Sequence, residues 1–124
     1  MPDPNELQIT SHSPEEVHEF MKAHDAGFTQ TDQHTPIAFI KLHPDVVTPT
    51  RATKGAACYD LAVRLDAPVS IPPFHSVLLP TGLSFRLPRY TEIQVRPRSG
   101  LSNKHRVFIP NAPGTVDEDY HGEL

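Results

Sequence analysis

Tryptophan is absent from this sequence and cysteine occurs once, as Cys58. A single cysteine excludes an internal disulfide and fits a reducing compartment. No Cys pair and no His-Glu-x-x-His spacing is present, which removes the common zinc-site patterns. The eight histidines do not replace them. His18 and His24 stand six apart and so do not share a helix face as an i, i+4 pair would; they read as solvated. Cys58 has no adjacent His or Asn to activate it, which speaks against a nucleophilic thiol. No apolar run approaches the ~20 residues that cross a bilayer. The opening Met1-Pro2-Asp3-Pro4-Asn5-Glu6 lacks the basic start and apolar core of a secretion signal. Basic residues are outnumbered, 11 Lys and Arg against 15 Asp and Glu, giving a net charge of −4 and a pI near 6.0. That balance speaks against direct nucleic-acid binding, which wants a basic surface, while leaving room for a local cationic pocket around one phosphate ligand. The expectation is a soluble intracellular protein, in the cytoplasm or, if eukaryotic or viral, the nucleus, with no membrane partner.

What the sequence has in quantity is proline, 14 residues against 6 glycines in a chain of 124. Many prolines between short apolar runs predict a β-rich fold with many turns and edge strands, and the length suits one compact domain. Residues 1–35 read as an N-terminal extension, partly helical or disordered. Ser13-Pro14-Glu15-Glu16 is a helix start, with Ser13 as N-cap, Pro14 at the first helical position and Glu16 closing a capping box. Val17, Phe20, Met21 and Ala23-His24 supply a short apolar stripe, and Gly27 can end the helix. Residues 36–124 read as a β domain. Strands are expected at Ile37–Leu42, Cys58–Val63, Val69–Ile71, Ser76–Leu79, Leu83–Leu87 and Glu92–Val95. Short, turn-punctuated strands of this kind indicate a barrel or sandwich rather than a parallel α/β sheet.

Three segments carry candidate chemistry. In Arg96-Pro97-Arg98-Ser99-Gly100-Leu101-Ser102, Arg98 can grip phosphate oxygens with its planar fork. Ser99 offers a hydroxyl, and Gly100 lets backbone N–H groups approach an anion. Alone, the stretch reads better as a surface turn with two solvated arginines. In Gly55-Ala56-Ala57-Cys58-Tyr59-Asp60-Leu61, the carboxylate of Asp60 sits between Tyr59 and Leu61 and calls for a partner or a cation; a structural Asp–Arg pair is an equal reading. The third segment runs from Asn111 to Leu124. Asn111 can read a base edge with its donor and acceptor, and Pro113-Gly114 fixes a turn. Asp117 can polarise a water as general base, and Tyr120 offers a flat face to a sugar or ring. On one straight strand Asp117 and Tyr120 would face apart, so a hairpin turning within Asp117–Tyr120 is needed to bring both to one site. The competing reading is an exposed acidic hairpin. Glu123-Leu124 looks like the start of a strand whose partners are missing.

Taken in order, these segments resemble the trimeric deoxyuridine triphosphatase (dUTPase) family. Ala57-Cys58-Tyr59-Asp60-Leu61 is similar to its first motif, Pro97-Arg98-Ser99-Gly100-Leu101 to its second, and Asn111 to Glu123 to its third. Pro80-Thr81-Gly82-Leu83 resembles the Pro-Thr-Gly stretch between motifs one and two. The resemblance covers roughly Ile37 to Leu124. It implies an all-β, jelly-roll-like β-barrel, here with the short N-terminal helical appendage, assembled as a homotrimer with sites shared between subunits. It implies hydrolysis of dUTP to dUMP and pyrophosphate with Mg²⁺. Asp117 would activate the water that attacks the α-phosphate, and Tyr120 would pack under the deoxyribose and exclude a 2′-hydroxyl. Asn111 would pair with the uracil edge, Arg98, Ser99 and Gly100 would hold phosphates, and Gly114 and Val116 would line the nucleotide. Asp60 would reach Mg²⁺ through its waters.

Cys58 stands where the family usually has Gly, and His121 where Arg is common. The family's fourth motif, with a Gln near the phosphates, and its fifth, a Gly-rich arm with a stacking aromatic, do not occur in these 124 residues. The domain is therefore expected to be truncated on its C-terminal side, with an unpaired edge. Two competing functions follow: a nucleotide-binding or regulatory module that kept the fold without catalysis, and the related dCTP deaminase, against which the Asn111–Tyr120 string argues.

Overall fold

A computed structural model describes residues 10–11, 13–25 and 37–124. The helix start encoded at Ser13 is realised as drawn. The Glu16 N–H donates to the Ser13 hydroxyl at 3.3 Å, and the Ser13 N–H donates to the Glu16 carboxylate at 2.7 Å. Two donors at the helix start are thereby satisfied reciprocally. Helix α1 runs Pro14–Asp25, buries Val17 and lies against strand β2. Gly27, the expected helix stop, lies outside the described residues, as does the Met1–Glu6 opening, and so do the side chains of Phe20, Met21, Ala23 and His24.

The strands form two sheets. In the first, β1 (Thr10–Ser11) pairs parallel with β2 (Ala38–Lys41), which pairs antiparallel with β3 (Leu83–Arg86). In the second, β4 (Ile93–Val95) pairs antiparallel with β5 (Gly114–Val116), Ile93 opposite Val116 and Val95 opposite Gly114. The framework is all-β in class; among the described residues the two sheets do not close into a barrel. Because alternate strand residues share a face, Leu83, Phe85 and Leu87 point together into the core. There they meet Phe39 and Val46, with Ile37, Leu61, Ile93 and Leu124 packed around them. Phe39 and Phe85 are cross-strand partners with ring centroids 6.1 Å apart and planes tilted by 48°. Such an aromatic pair stabilises by about 0.5–1.5 kcal/mol beyond its buried area.

The corner joining β2 to β3 depends on Gly82. Its φ is +73°, and a Cβ there would stand 2.3 Å from Val46 Cγ2. Its carbonyl accepts from the Leu42 N–H at 2.8 Å. A bulkier residue would be strained twice, by φ and by the collision.

Three expected strands are not formed. Cys58–Val63 makes only an isolated bridge, Asp60 N–H to Thr50 carbonyl at 2.8 Å, and Val69–Ile71 and Ser76–Leu79 have no ladder. A strand requires a hydrogen-bonded neighbour as well as an alternating sequence, and among the described residues these runs have no ladder partner beyond that single bridge. Their apolar residues stay exposed, among them Val63, Leu65, Val69, Ile71 and Leu78.

Candidate active site

Asp60 and Arg98, 38 positions apart, face each other: Arg98 Nε lies 4.0 Å from Asp60 Oδ1, with both side chains more than half exposed. An exposed pair at this distance contributes little to stability. Its significance is geometric, since it sets the carboxylate of the first segment beside the guanidinium of the second. Thr50 holds Asp60 through the bridge described above, and Arg51 shapes the approach by donating to the carbonyls of Lys54 and Ala56.

Arg98 also begins helix α2 (Ser99–His105), where only a surface turn was expected. Local composition hides this helix, because Ser, Gly and Asn are poor helix formers. Its ends explain it. Arg106 adopts the left-handed conformation at φ 57° and closes the last turn: its N–H donates to the Ser102 carbonyl and the Val107 N–H to the Leu101 carbonyl, while Ser102 Oγ donates to the Val107 carbonyl. Lys104 and His105 sit in the last turn, where cations suit the helix dipole. At the other end Ser99 and Gly100 lie in the first turn, whose N–H groups have no intrahelical partner, and no Arg98 side-chain cap fills them. A Cβ on Gly100 would meet nothing within 4 Å, so packing within the chain does not demand glycine there.

Asn111 sits in the turn before β5, immediately ahead of a cis Ala112–Pro113 bond, and its Nδ2 lies 3.7 Å from where a Gly114 Cβ would be. Gly114 therefore keeps the strand start open beneath the amide. Val116 is buried at 6% exposure, so its side chain belongs to the core and only its backbone is left to line a ligand. Asp117 follows immediately and is exposed. The chain then turns: the Tyr120 N–H donates to the Asp117 carbonyl at 3.1 Å. The reversal required between Asp117 and Tyr120 is thus present. Tyr120 is 45% exposed, and its hydroxyl donates to the Glu123 carbonyl at 2.8 Å.

Sequence reasoning missed the residues that fix this turn. The Glu118 carboxylate accepts the Tyr90 N–H and ties the turn to the loop between β3 and β4. Glu123 and Leu124, expected to start a strand whose partners are missing, are clasped together with His121 by the segment leading into β3. Thr81 donates from both N–H and hydroxyl to the Leu124 carbonyl, at 3.0 and 2.6 Å, and the Leu124 N–H donates to the Leu83 carbonyl at 2.9 Å. Gly82 N–H donates to Glu123 Oε1 at 2.7 Å, and the buried Ser84 hydroxyl donates to the His121 carbonyl at 2.8 Å. The Pro80-Thr81-Gly82 stretch was the one available signal.

A second ionic device lies in the same framework. Arg64 Nε bonds Asp45 Oδ1 at 3.0 Å, its terminal nitrogen reaches Asp66 at 3.1 Å, and its backbone N–H donates to the Pro80 carbonyl at 2.8 Å. The hydrogen bond from Arg64 holds the Asp45 carboxyl below its ordinary range and raises the guanidinium in turn.

The candidate residues form two groups. Asp60 with Arg98 is one, and Asp117 with Tyr120, next to Asn111 and Gly114, is the other. Among the described residues no hydrogen bond or ion pair joins them. Nor does any cluster of three His, Cys, Asp or Glu residues among the described ones suit a metal ion. A lone carboxylate such as Asp60 does suit Mg²⁺ carried on phosphates, which takes one or two carboxylates and keeps several waters. No described helix is long and apolar enough to cross a membrane.

The frame is all-β and presents an Asp–Arg pair and an Asp-to-Tyr turn, and comparison with known proteins specifies the family. The dUTPase family profile matches residues 45–124, and the chain belongs to that family. It is 49% identical over 84 residues to a deoxyuridine 5′-triphosphate nucleotidohydrolase of Leptospira interrogans, covering 68% of this chain and 58% of that protein. Proteins of the same name from Treponema denticola and Chlamydia felis are 48% and 44% identical over 86 residues, 69% of this chain in both cases and 60% and 58% of those proteins. The chain thus spans about three fifths of the length of these curated relatives.

Proposed function

We propose that the protein hydrolyses dUTP to dUMP and pyrophosphate. The observation that carries this reading is the arrangement of four motif residues: Asp60 beside Arg98, and Asp117 at the start of a turn that ends on Tyr120. Arg98, with the first-turn N–H groups of Ser99 and Gly100, binds the phosphates. Asp117 takes the proton from the water that attacks the α-phosphate. Asn111 reads the uracil edge, and Gly114 and the Val116 backbone line the nucleotide beside it. Tyr120 presents its ring to the deoxyribose. Mg²⁺ supplies charge neutralisation on the triphosphate, with Asp60 facing its water shell.

Separation of the two residue groups supports a site completed between subunits of a homotrimer. So does the exposed apolar surface at Val63, Leu65, Val69, Ile71 and Leu78, since a broad apolar surface suits burial against another chain. The division into an extension of residues 1–35 and a β domain of residues 36–124 belongs to the same proposal.

The test is pyrophosphate release from dUTP with Mg²⁺ by the protein containing this chain, alone and as Asp117→Asn. Turnover is expected for the former. A loss on the order of 10²–10⁴-fold is expected for the latter, the range a positioned base contributes, with binding of a non-hydrolysable dUTP analogue retained. A near-normal rate in Asp117→Asn would refute the base assignment, and absent turnover with intact analogue binding would favour a binding module.

A further inference from the structure

The Tyr120 side chain is held at two points, and both contacts come from residues immediately following it. Its ring lies over Gly122. A Cβ on Gly122 would stand 2.6 Å from the Tyr120 hydroxyl oxygen, 2.7 Å from Cζ and 3.1 Å from Cε2. Distances below 3.0 Å are not sustained between such atoms, so any larger residue at 122 must push the ring away. The phenol hydroxyl donates to the Glu123 carbonyl at 2.8 Å, and the Glu123 carboxylate in turn accepts the Gly82 N–H at 2.7 Å. On either side, His121 and Leu124 are tied to Ser84, Leu83 and Thr81. The ring is thus laid on a short backbone stretch that is itself fixed to the buried start of β3. Tyr120 remains 45% exposed, which leaves part of the ring available.

We propose that Gly122 and Glu123 form a seat for the Tyr120 ring and act as specificity-determining positioning residues, fixing the ring so that it admits a 2′-deoxyribonucleotide and excludes a 2′-hydroxyl. The proposal rests on the dUTP reading above for the identity of the ligand, but the seat itself does not. Glycine at 122 matters through space alone, because its φ lies outside the left-handed region that glycine favours, and a Cβ there is accommodated only by displacing the Tyr120 ring. The consequence is specific: Gly122→Ala moves the ring and leaves Asp117, Arg98 and the phosphate contacts in place. A site of this kind discriminates against an added hydroxyl by roughly 10²-fold. Displacing its wall is expected to remove about tenfold of that.

The experiment combines NMR and calorimetry on the protein containing this chain. Nuclear Overhauser contacts between the Tyr120 ring and the Gly122 α-protons are expected in the wild type and absent in Gly122→Ala. The ratio of affinities for non-hydrolysable dUTP and UTP analogues is expected to fall about tenfold in Gly122→Ala. It should fall by a smaller factor in Glu123→Ala and hold in Glu123→Gln, which keeps an acceptor for Gly82. Once Tyr120→Ala has been made, adding Gly122→Ala should change the ratio no further. Should Gly122→Ala fail to fold, the Glu123 pair and the wild-type ring contacts carry the test. Missing ring contacts in the wild type would overturn the seat whatever the ligand. Intact contacts with no preference for the deoxy analogue would overturn the dUTP reading instead. A ratio unchanged in Gly122→Ala, or effects of Gly122→Ala and Tyr120→Ala that simply add, would overturn the positioning claim.

Discussion

Residues 83–87 and residues 76–79 are both short apolar runs next to a turn, yet they have opposite fates. Leu83 is fully buried, and Phe85 and Leu87 are at 7% and 3% exposure, whereas Leu78 is fully exposed and Val77 is at 40%. Apolar content does not separate them. What separates them is a neighbour: β3 has β2 along one edge and residues 121–124 clasping its start, while 76–79 has no ladder within the chain. Burial is set by available partners as much as by pattern.

Truncation separates the two halves most sharply. Leu83→Ala opens a cavity in the core and is expected to destabilise by about 2–5 kcal/mol, read from the denaturant midpoint. Leu78→Ala is expected to stay within about 0.5 kcal/mol for the isolated chain. If 76–79 lies in a contact between subunits, the same change should instead weaken association in sedimentation equilibrium. Equal stability losses at the two leucines would erase the distinction between the regions.

The ionic link between them gives the smallest effect. Arg64, which follows the exposed Ala62 and Val63, anchors to Asp45 beside the core residue Val46. The Asp45 carboxyl is depressed in the folded protein, so its contribution is complete above the ordinary carboxylate range and fades as pH falls through that range to the folded value. Asp45→Asn should therefore be slightly less stable than wild type at neutral pH, with the gap closing on acidification. A gap that is constant with pH would show that the pair does not act through charge. Asp45 is largely exposed and Arg64 only partly covered, and the effect is accordingly small.

Much of this was legible from residues. The capping box at Ser13 and Glu16, the strands at Ile37–Leu42, Leu83–Leu87 and Glu92–Val95, and the family motifs all rest on local signals. What local signals could not carry was pairing over distance. The strands expected at 58–63, 69–71 and 76–79 have the composition and lack the neighbour. Helix α2 is encoded by its C-cap, with Arg106 in a left-handed conformation that Arg does not advertise. Glu118 to Tyr90 and Glu123 to Gly82 span 28 and 41 positions. Neither carboxylate looks different from a solvated one in the sequence, although together they hold the turn that carries Asp117 and Tyr120.

The central claim is that Asp117 directs water onto the α-phosphate of dUTP. Hydrolysis in ¹⁸O-labelled water tests it most directly, by mass spectrometry of the products. Label in dUMP and none in pyrophosphate is the predicted result. Label in pyrophosphate, or release of dUDP and inorganic phosphate, would contradict it.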